Sequence, residues 1–258
     1  MIDATLLKGF LVFLCGCMTG SFLNVVIYRI PAEKSIVFPG SKCPKCNNKI
    51  AWYDNIPILS WLLLKAKCRY CAEPISMRYP LVELITAIIA VLAFNISGVG
   101  LNWILLFYFL CTMIVISLVD IDHMLILDCI AYPSILVGVL YSFINGNIYD
   151  SIIASIGGAL ILYLIAKVSL LVFKKEGMGL GDVSMIAIVG AWFGSKYLLS
   201  TFVIALFFGL FTGIILLLRK GKSEYFPFGP SIALGALITV LTKNYLLNLY
   251  LSTLMYSE

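Results

Sequence analysis

Eight apolar runs, separated by one long polar stretch and otherwise by short breaks, set the pattern of this chain: 6–27, 81–97, 102–119, 129–145, 151–173, 183–195, 197–218 and 230–251. A helix needs about 20 apolar residues to cross a hydrocarbon layer, and most of these runs approach that length. The sixth, 183–195, is the shortest. No stretch shows the strict polar–apolar alternation of a half-buried strand. The pattern therefore predicts an all-α polytopic membrane protein with about eight transmembrane helices. It divides the chain into a first span (1–28), one sizeable polar loop (29–80) and a seven-helix membrane region (81–258). The first run reads as a retained span, because Asp3 and a lone Lys8 precede some twenty apolar residues where a cleaved signal would have a basic start and a shorter apolar stretch.

Composition agrees: 62% of the 258 residues are hydrophobic and 12% are charged, against about 25% charged in soluble domains. A net charge of +5 would suit nucleic acid, but the cations lie in loops between spans, where topology accounts for them. Nucleic acid is not an expected partner; the lipid bilayer is. With the 29–80 loop in the cytoplasm and the spans alternating, nine cations fall in that loop. Lys167, Lys174, Lys175, Arg219, Lys220 and Lys222 join them, leaving Lys8, Lys196 and Lys243 on the other side. Fifteen against three is a positive-inside signal, and it sets both termini outside the cytoplasm. The same orientation puts Asp120 and Asp182, neither used in choosing it, on the cytoplasmic face.

The 29–80 loop contains Cys43-Pro44-Lys45-Cys46 and Cys68-Arg69-Tyr70-Cys71, separated by twenty-one residues. Two CxxC turns at this spacing suit a tetrahedral Zn2+ held by four thiolates. A loop of this size buries little core, so a structural metal would supply much of its folding energy. Paired disulfides or a redox CxxC are the alternatives; a reducing compartment speaks against the first and the lack of a thioredoxin-like pattern against the second. Cys15, Cys17, Cys111 and Cys129 lie in or near apolar runs and read as small hydrophobes.

The chemistry rests on acids. His123 is the single histidine, so a two-histidine zinc protease is excluded, and Cys129, six residues on, is out of helical register with it. Asp120 closes the third run, and Gly177-Met178-Gly179-Leu180-Gly181-Asp182 precedes the sixth. A carboxylate at the edge of hydrocarbon is a functional candidate. Two of them in a low-dielectric site share one proton, one activating water as base and the other serving as acid toward an amide. Gly179 and Gly181 leave room for a substrate backbone beside Asp182. Asp122 and Asp128 compete with Asp120; a flexible loop with a helix-capping aspartate is the plainer reading of the glycine stretch.

These residues resemble the bacterial type IV prepilin leader peptidases, of the GxGD class of intramembrane aspartic peptidases. The resemblance runs through Gly20-Ser21-Phe22-Leu23-Asn24 with Arg29 and Pro31, both CxxC pairs, Trp52-Tyr53-Asp54-Asn55-Ile56-Pro57, Arg78-Tyr79-Pro80 with Val82-Glu83-Leu84, Asp120, the Gly179–Asp182 block and Pro227-Phe228-Gly229-Pro230. It implies cleavage of prepilins and pseudopilins at the cytoplasmic boundary of the bacterial inner membrane, with Asp120 and Asp182 as the catalytic pair. It also implies N-methylation of the new terminus from S-adenosyl-L-methionine, and service to a pilus or a type II secretion machinery. Relatives often carry a proline where Leu127 stands here. Glu83 is the candidate for the methyl-transfer site, orienting an amine or pairing with a loop arginine such as Arg78. A proton-coupled transporter and a non-catalytic zinc-bearing assembly protein are the alternatives from other classes.

Overall fold

The structure, a computed structural model, describes residues 4–174, 179–220 and 226–242. Gly177, Met178, the cations Lys175, Lys222 and Lys243, the far end of the last apolar run and both termini lie outside the described residues. Among those described, the chain forms eight α-helices and one 3-10 turn, without a named strand: α1 (Ala4–Arg29), the turn Trp52–Asn55, α2 (Leu59–Leu63), α3 (Arg78–Ser97), α4 (Leu101–His123), α5 (Asp128–Ile144), α6 (Ile148–Phe173), α7 (Leu180–Lys220) and α8 (Gly229–Leu241). Each of the eight apolar runs, as far as it is described, falls on a helix. Five helices, α1, α3, α4, α6 and α7, are long and apolar enough to cross a membrane, while α5 and the described part of α8 are shorter. Leu6, Phe10, Met18, Ile153, Ile156 and Leu171 point outward, as side chains facing lipid would. Cys17 and Cys111 are buried as expected, whereas Cys15 and Cys129 lie on outer faces.

The chain forms two compact units, Met1–Cys111 and Thr112–Glu258. In the first, α1 packs along α3. The contact depends on a small-residue stripe: a Cβ at Gly16 would lie 2.5 Å from the Ala87 Cα, and one at Gly20 would lie 2.7 Å from the Glu83 Cα. Gly16-Cys17-Met18-Thr19-Gly20 is thus a GxxxG face that lets two apolar helices approach where no hydrophobic drive separates them from lipid. Between these helices the polar loop is held by its own hydrogen bonds, including Trp61 Nε1 to the Ile75 carbonyl at 3.0 Å and a two-pronged contact of the Arg69 guanidinium with the Asp54 carboxylate. That guanidinium keeps the Asp54 carboxyl below its ordinary range.

In the second unit α7 packs against α5, α6 and α8. Trp192 is 1% exposed, and its Nε1–H donates to the Ser134 carbonyl at 2.9 Å. Ser151 donates to Ser142 at 2.7 Å, and Ser142 to the Ala191 carbonyl at 2.8 Å, so three helices are tied by polar contacts inside an apolar core. α7 is broken at Gly194, whose φ of 77° and ψ of −172° are not helical. A Cβ at Gly158 of α6 would lie 2.7 Å from Leu198 and 3.0 Å from Ile186. Those residues would be about 18 Å apart along a straight helix, so the chain doubles back at Gly194. The sixth and seventh apolar runs, 183–195 and 197–218, are its two arms. Asp150 secures the turn, its carboxylate accepting from the Ser195 N–H at 3.0 Å and hydroxyl at 2.7 Å.

Gly194→Ala tests this reading. Its Cβ would fall on Asp150 Oδ2 at a positive φ, and the variant should lose about 1–3 kcal/mol of stability, seen as a lower thermal midpoint in detergent; an unchanged midpoint would show that the turn tolerates a side chain.

Candidate active site

Helical periodicity places Asp120 on the inward face of α4, one turn beyond Ile116. Asp120 is 6% exposed and Ile116 1%, while Asp122 and His123 are exposed. Asp128 is also exposed, in the first turn of α5, where Leu127 takes the N-cap position. Burial therefore separates Asp120 from its two competitors. A second acid, Asp182, is the third residue of α7 and 7% exposed, on the face that continues through Met185, Ile186 and Val189, all buried. Its backbone N–H donates to the Gly179 carbonyl at 3.2 Å, and its carboxylate accepts from the Gly179 backbone.

Both acids belong to the second unit, within electrostatic reach of one another. Packing shows how they converge. A Cβ at Gly181 would lie 2.7 Å from the Ile126 Cβ, so the glycine turn before α7 sits against the link that follows α4. Neither Gly179 nor Gly181 has a positive φ; at 181 it is close approach, not left-handed backbone, that requires glycine. Gly229 closes the site. Its N–H, at the start of α8, donates to Asp120 Oδ2 at 2.9 Å. A Cβ there would lie 2.6 Å from that oxygen and 3.1 Å from the Met185 Sδ, one turn from Asp182.

The first amides of a helix have no partner within it and carry the positive end of its dipole. Pro230 follows without an N–H, leaving the Gly229 amide as a single aimed donor. Sequence reasoning gave Pro227-Phe228-Gly229-Pro230 no role in chemistry. The signal available was a Gly-Pro pair opening an apolar helix, which marks a helix start without saying what lies in front of it.

The four cysteines form a second centre in the first unit. Their Sγ atoms lie within 4.8 Å of one another, with Cys43–Cys71 at 3.8 Å and Cys46–Cys68 at 4.0 Å. Disulfide sulfurs would be about 2.05 Å apart; tetrahedral Zn–S bonds of about 2.3 Å require roughly 3.8 Å between sulfurs. The two halves share one design. Cys43 N–H donates to the Asn48 carbonyl and Asn47 N–H to the Cys43 carbonyl; Cys68 N–H donates to Glu73 and Ala72 N–H to Cys68. Asn47 and Ala72 each have φ of 57°, turning the backbone so that amides face sulfur. The N–H groups of Cys46 and Lys45 hold the Cys43 thiol below its ordinary value, while, against the Glu73 N–H, desolvation and the neighbouring sulfurs hold that of Cys71 above it, so metal binding would have to displace protons from the cluster. The donor set fits zinc.

Glu83, 8% exposed on α3, accepts the Ile58 N–H on Oε2 at 2.7 Å.

Comparison with known proteins gives concordant matches. Residues 14–96 match a family described as the bacterial peptidase A24 N-terminal domain, and residues 107–214 match the type IV leader peptidase family. A prepilin leader peptidase/N-methyltransferase of Aeromonas salmonicida is 34% identical over 95% of this chain and 94% of that protein. The Pseudomonas aeruginosa protein of the same description is 33% identical over 92% and 91%. A type 4 prepilin-like proteins leader peptide-processing enzyme of Escherichia coli O78:H11 is 33% identical over 87% and 90%. No solved structure matches.

Metal analysis of the purified protein should find about one zinc per chain, and Cys43→Ser should remove most of it. Because the ligands are thiolates, zinc should also be released as pH falls; retention by the serine variant, or at a pH where all thiols are protonated, would rule out the four-cysteine site.

Proposed function

The chain belongs to the type IV leader peptidase family, and from that premise we propose that it removes the leader from prepilins and pseudopilins through Asp120 and Asp182, then N-methylates the new terminus. The observation that carries the peptidase half is the burial of two acids from distant parts of the sequence in one unit, within reach of each other's charge. Two carboxylates so placed hold one negative charge and one proton between them. The ionised member takes a proton from water, and the resulting hydroxide adds to the scissile carbonyl. The protonated member stabilises the new oxyanion, and the leaving amine takes up a proton as the C–N bond breaks. Gly229 N–H reserves Oδ2 of Asp120 as an acceptor, so the shared proton resides on Oδ1 of Asp120 or on Asp182. Gly179 and Gly181 bring the backbone of the turn, without side chains, beside Asp182.

The positive-inside distribution supports an inner-membrane protein with the polar loop and both aspartates toward the cytoplasm, the termini outside and about eight crossings. A prepilin leader, basic and short, would then meet the acids from the cytoplasmic side. Both acids sit at helix ends, Asp120 near the last turn of α4 and Asp182 in the first of α7. That position favours a boundary peptidase over a proton relay, which wants carboxylates near span centres. Within the loop 29–80, Cys43, Cys46, Cys68 and Cys71 would hold Zn2+ as a structural ion. Methylation draws on S-adenosyl-L-methionine, whose sulfonium supplies an electrophilic methyl group. The partners are prepilins or pseudopilins, with a pilus or type II secretion machinery receiving the product.

The test is co-expression with a prepilin and a gel assay of leader removal. Asp120→Asn and Asp182→Asn should each lower cleavage at least about 100-fold, while Asp122→Asn should be mild; wild-type processing by either of the first two would remove the dyad. Gly229→Ala keeps the amide but sets a Cβ 2.6 Å from Asp120 Oδ2, and the displaced carboxylate should cost roughly ten- to a hundredfold in cleavage; normal cleavage would show that the site tolerates a side chain there. Cys43→Ser with Cys68→Ser should damage methylation or expression before cleavage, and fully methylated pilin by mass spectrometry would contradict this.

A further inference from the structure

The first unit has an open cavity of about 740 Å³ between the polar loop and the neighbouring ends of α1 and α3. Its walls include the aromatic rings of Tyr28, Phe38, Trp61 and Tyr79. Glu83 also lines it, although that side chain is nearly enclosed by protein. A buried carboxylate needs donors, and two are in place: the Ile58 N–H and the Ser21 hydroxyl beside it. The first is obtained under strain. Ile58 has φ of 63° and ψ of −52°, and Leu59 N–H reaches the Pro57 carbonyl at 2.6 Å. That is a γ-turn on a β-branched residue, a conformation costing about 1–3 kcal/mol and concentrated at functional sites. An ionised carboxylate accepts about four hydrogen bonds, so these donors leave capacity unused on a side chain that lines the cavity.

Arg29, Lys34, Lys42 and Arg69 also line the cavity, with Asp54 and Glu73, but Arg69 is held by Asp54 and Arg29 by the Ser35 and Gly40 carbonyls. Glu83, on the α3 wall among tyrosines, is an acceptor-only group suited to a compact cation with N–H donors. We propose that Glu83 is the acceptor-amine site of the methyl transfer: its carboxylate binds the α-ammonium of the newly cut chain and takes one of its protons. The inference rests on the methyl-transfer reading above. The atoms balance as follows. One N–H proton passes to a Glu83 oxygen, freeing the nitrogen lone pair. That pair forms the N–CH3 bond while the C–S bond of the sulfonium donor breaks, its electrons remaining on sulfur as a neutral thioether. Glu83 returns its proton to water at the cavity mouth. Asn24, whose Nδ2–H donates to the Tyr79 carbonyl at 3.1 Å, joins α1 to the start of α3 at the cavity wall and keeps the chamber's two sides in register.

Glu83→Gln is the deciding variant, since the amide oxygen still accepts the Ile58 N–H while the proton acceptor is lost. Co-expressed with a prepilin, it should leave leader removal and zinc content within about twofold of wild type, while methylated pilin falls at least about 100-fold by mass spectrometry. Glu83→Asp should restore part of it. In calorimetry, S-adenosylhomocysteine should bind wild type and Glu83→Gln alike. A synthetic peptide with the free mature pilin terminus should bind wild type at least tenfold more tightly than the variant, and the N-acetylated peptide should bind both weakly. Full methylation by Glu83→Gln, or equal binding of free and acetylated peptides to wild type, overturns the proposal. Unmethylated pilin from the wild-type protein would instead overturn the methyl-transfer reading beneath it.

Discussion

A carboxylate enclosed by apolar helices survives only with a donor in front of it, and Asp120 finds its donor in the opening amide of α8. That single contact joins residues 109 positions apart. It determines which oxygen of Asp120 is occupied, and it requires position 229 to be bare, since any side chain there would strike the acid itself. Through Met185 the same point touches the helix that presents Asp182. α4, α7 and α8 therefore converge at the buried acids, and the surrounding packing, from Trp192 to the Ser142–Ser151 pair, ties the helices of that unit together.

Much of this was legible before any coordinates. Apolar periodicity and run length gave the helices, because in hydrocarbon a backbone must satisfy its own hydrogen bonds. The CxxC spacing gave the sulfur cluster, because four thiolates from two tight turns have few other arrangements. Asp182 was marked by its glycine turn, and Asp120 by its place at the end of a run. What sets Asp120 apart from the exposed Asp122 and Asp128 is burial, which depends on which face of α4 turns inward.

Other features depended on contacts between distant segments and left little trace in the chain. Gly16 and Gly20 show a recognisable spacing, yet only the approach of α3 reveals its use. The turn at Gly194 was marked in the chain only by the break at Lys196 between the sixth and seventh apolar runs, and its partner Asp150 lies on another helix. Gly229 has a helix-start signature, but nothing local says that an acid from α4 will stand before it. Ile58 is the sharpest case, a β-branched residue in a backbone region its own preferences oppose, held there by a carboxylate on α3.

The doubling of α7 bears on depth. From Gly194 to Asp182 is twelve residues, a climb of about 18 Å, whereas a bilayer's oily interior is about 30 Å thick. With the Asp150–Ser195 clasp at one surface, a boundary position for Asp182 at the other would require the layer around this short arm to be thinner by about 12 Å. The boundary cleavage proposed above thus carries with it a local thinning of the lipid, which would bring water and an incoming polypeptide to the acid.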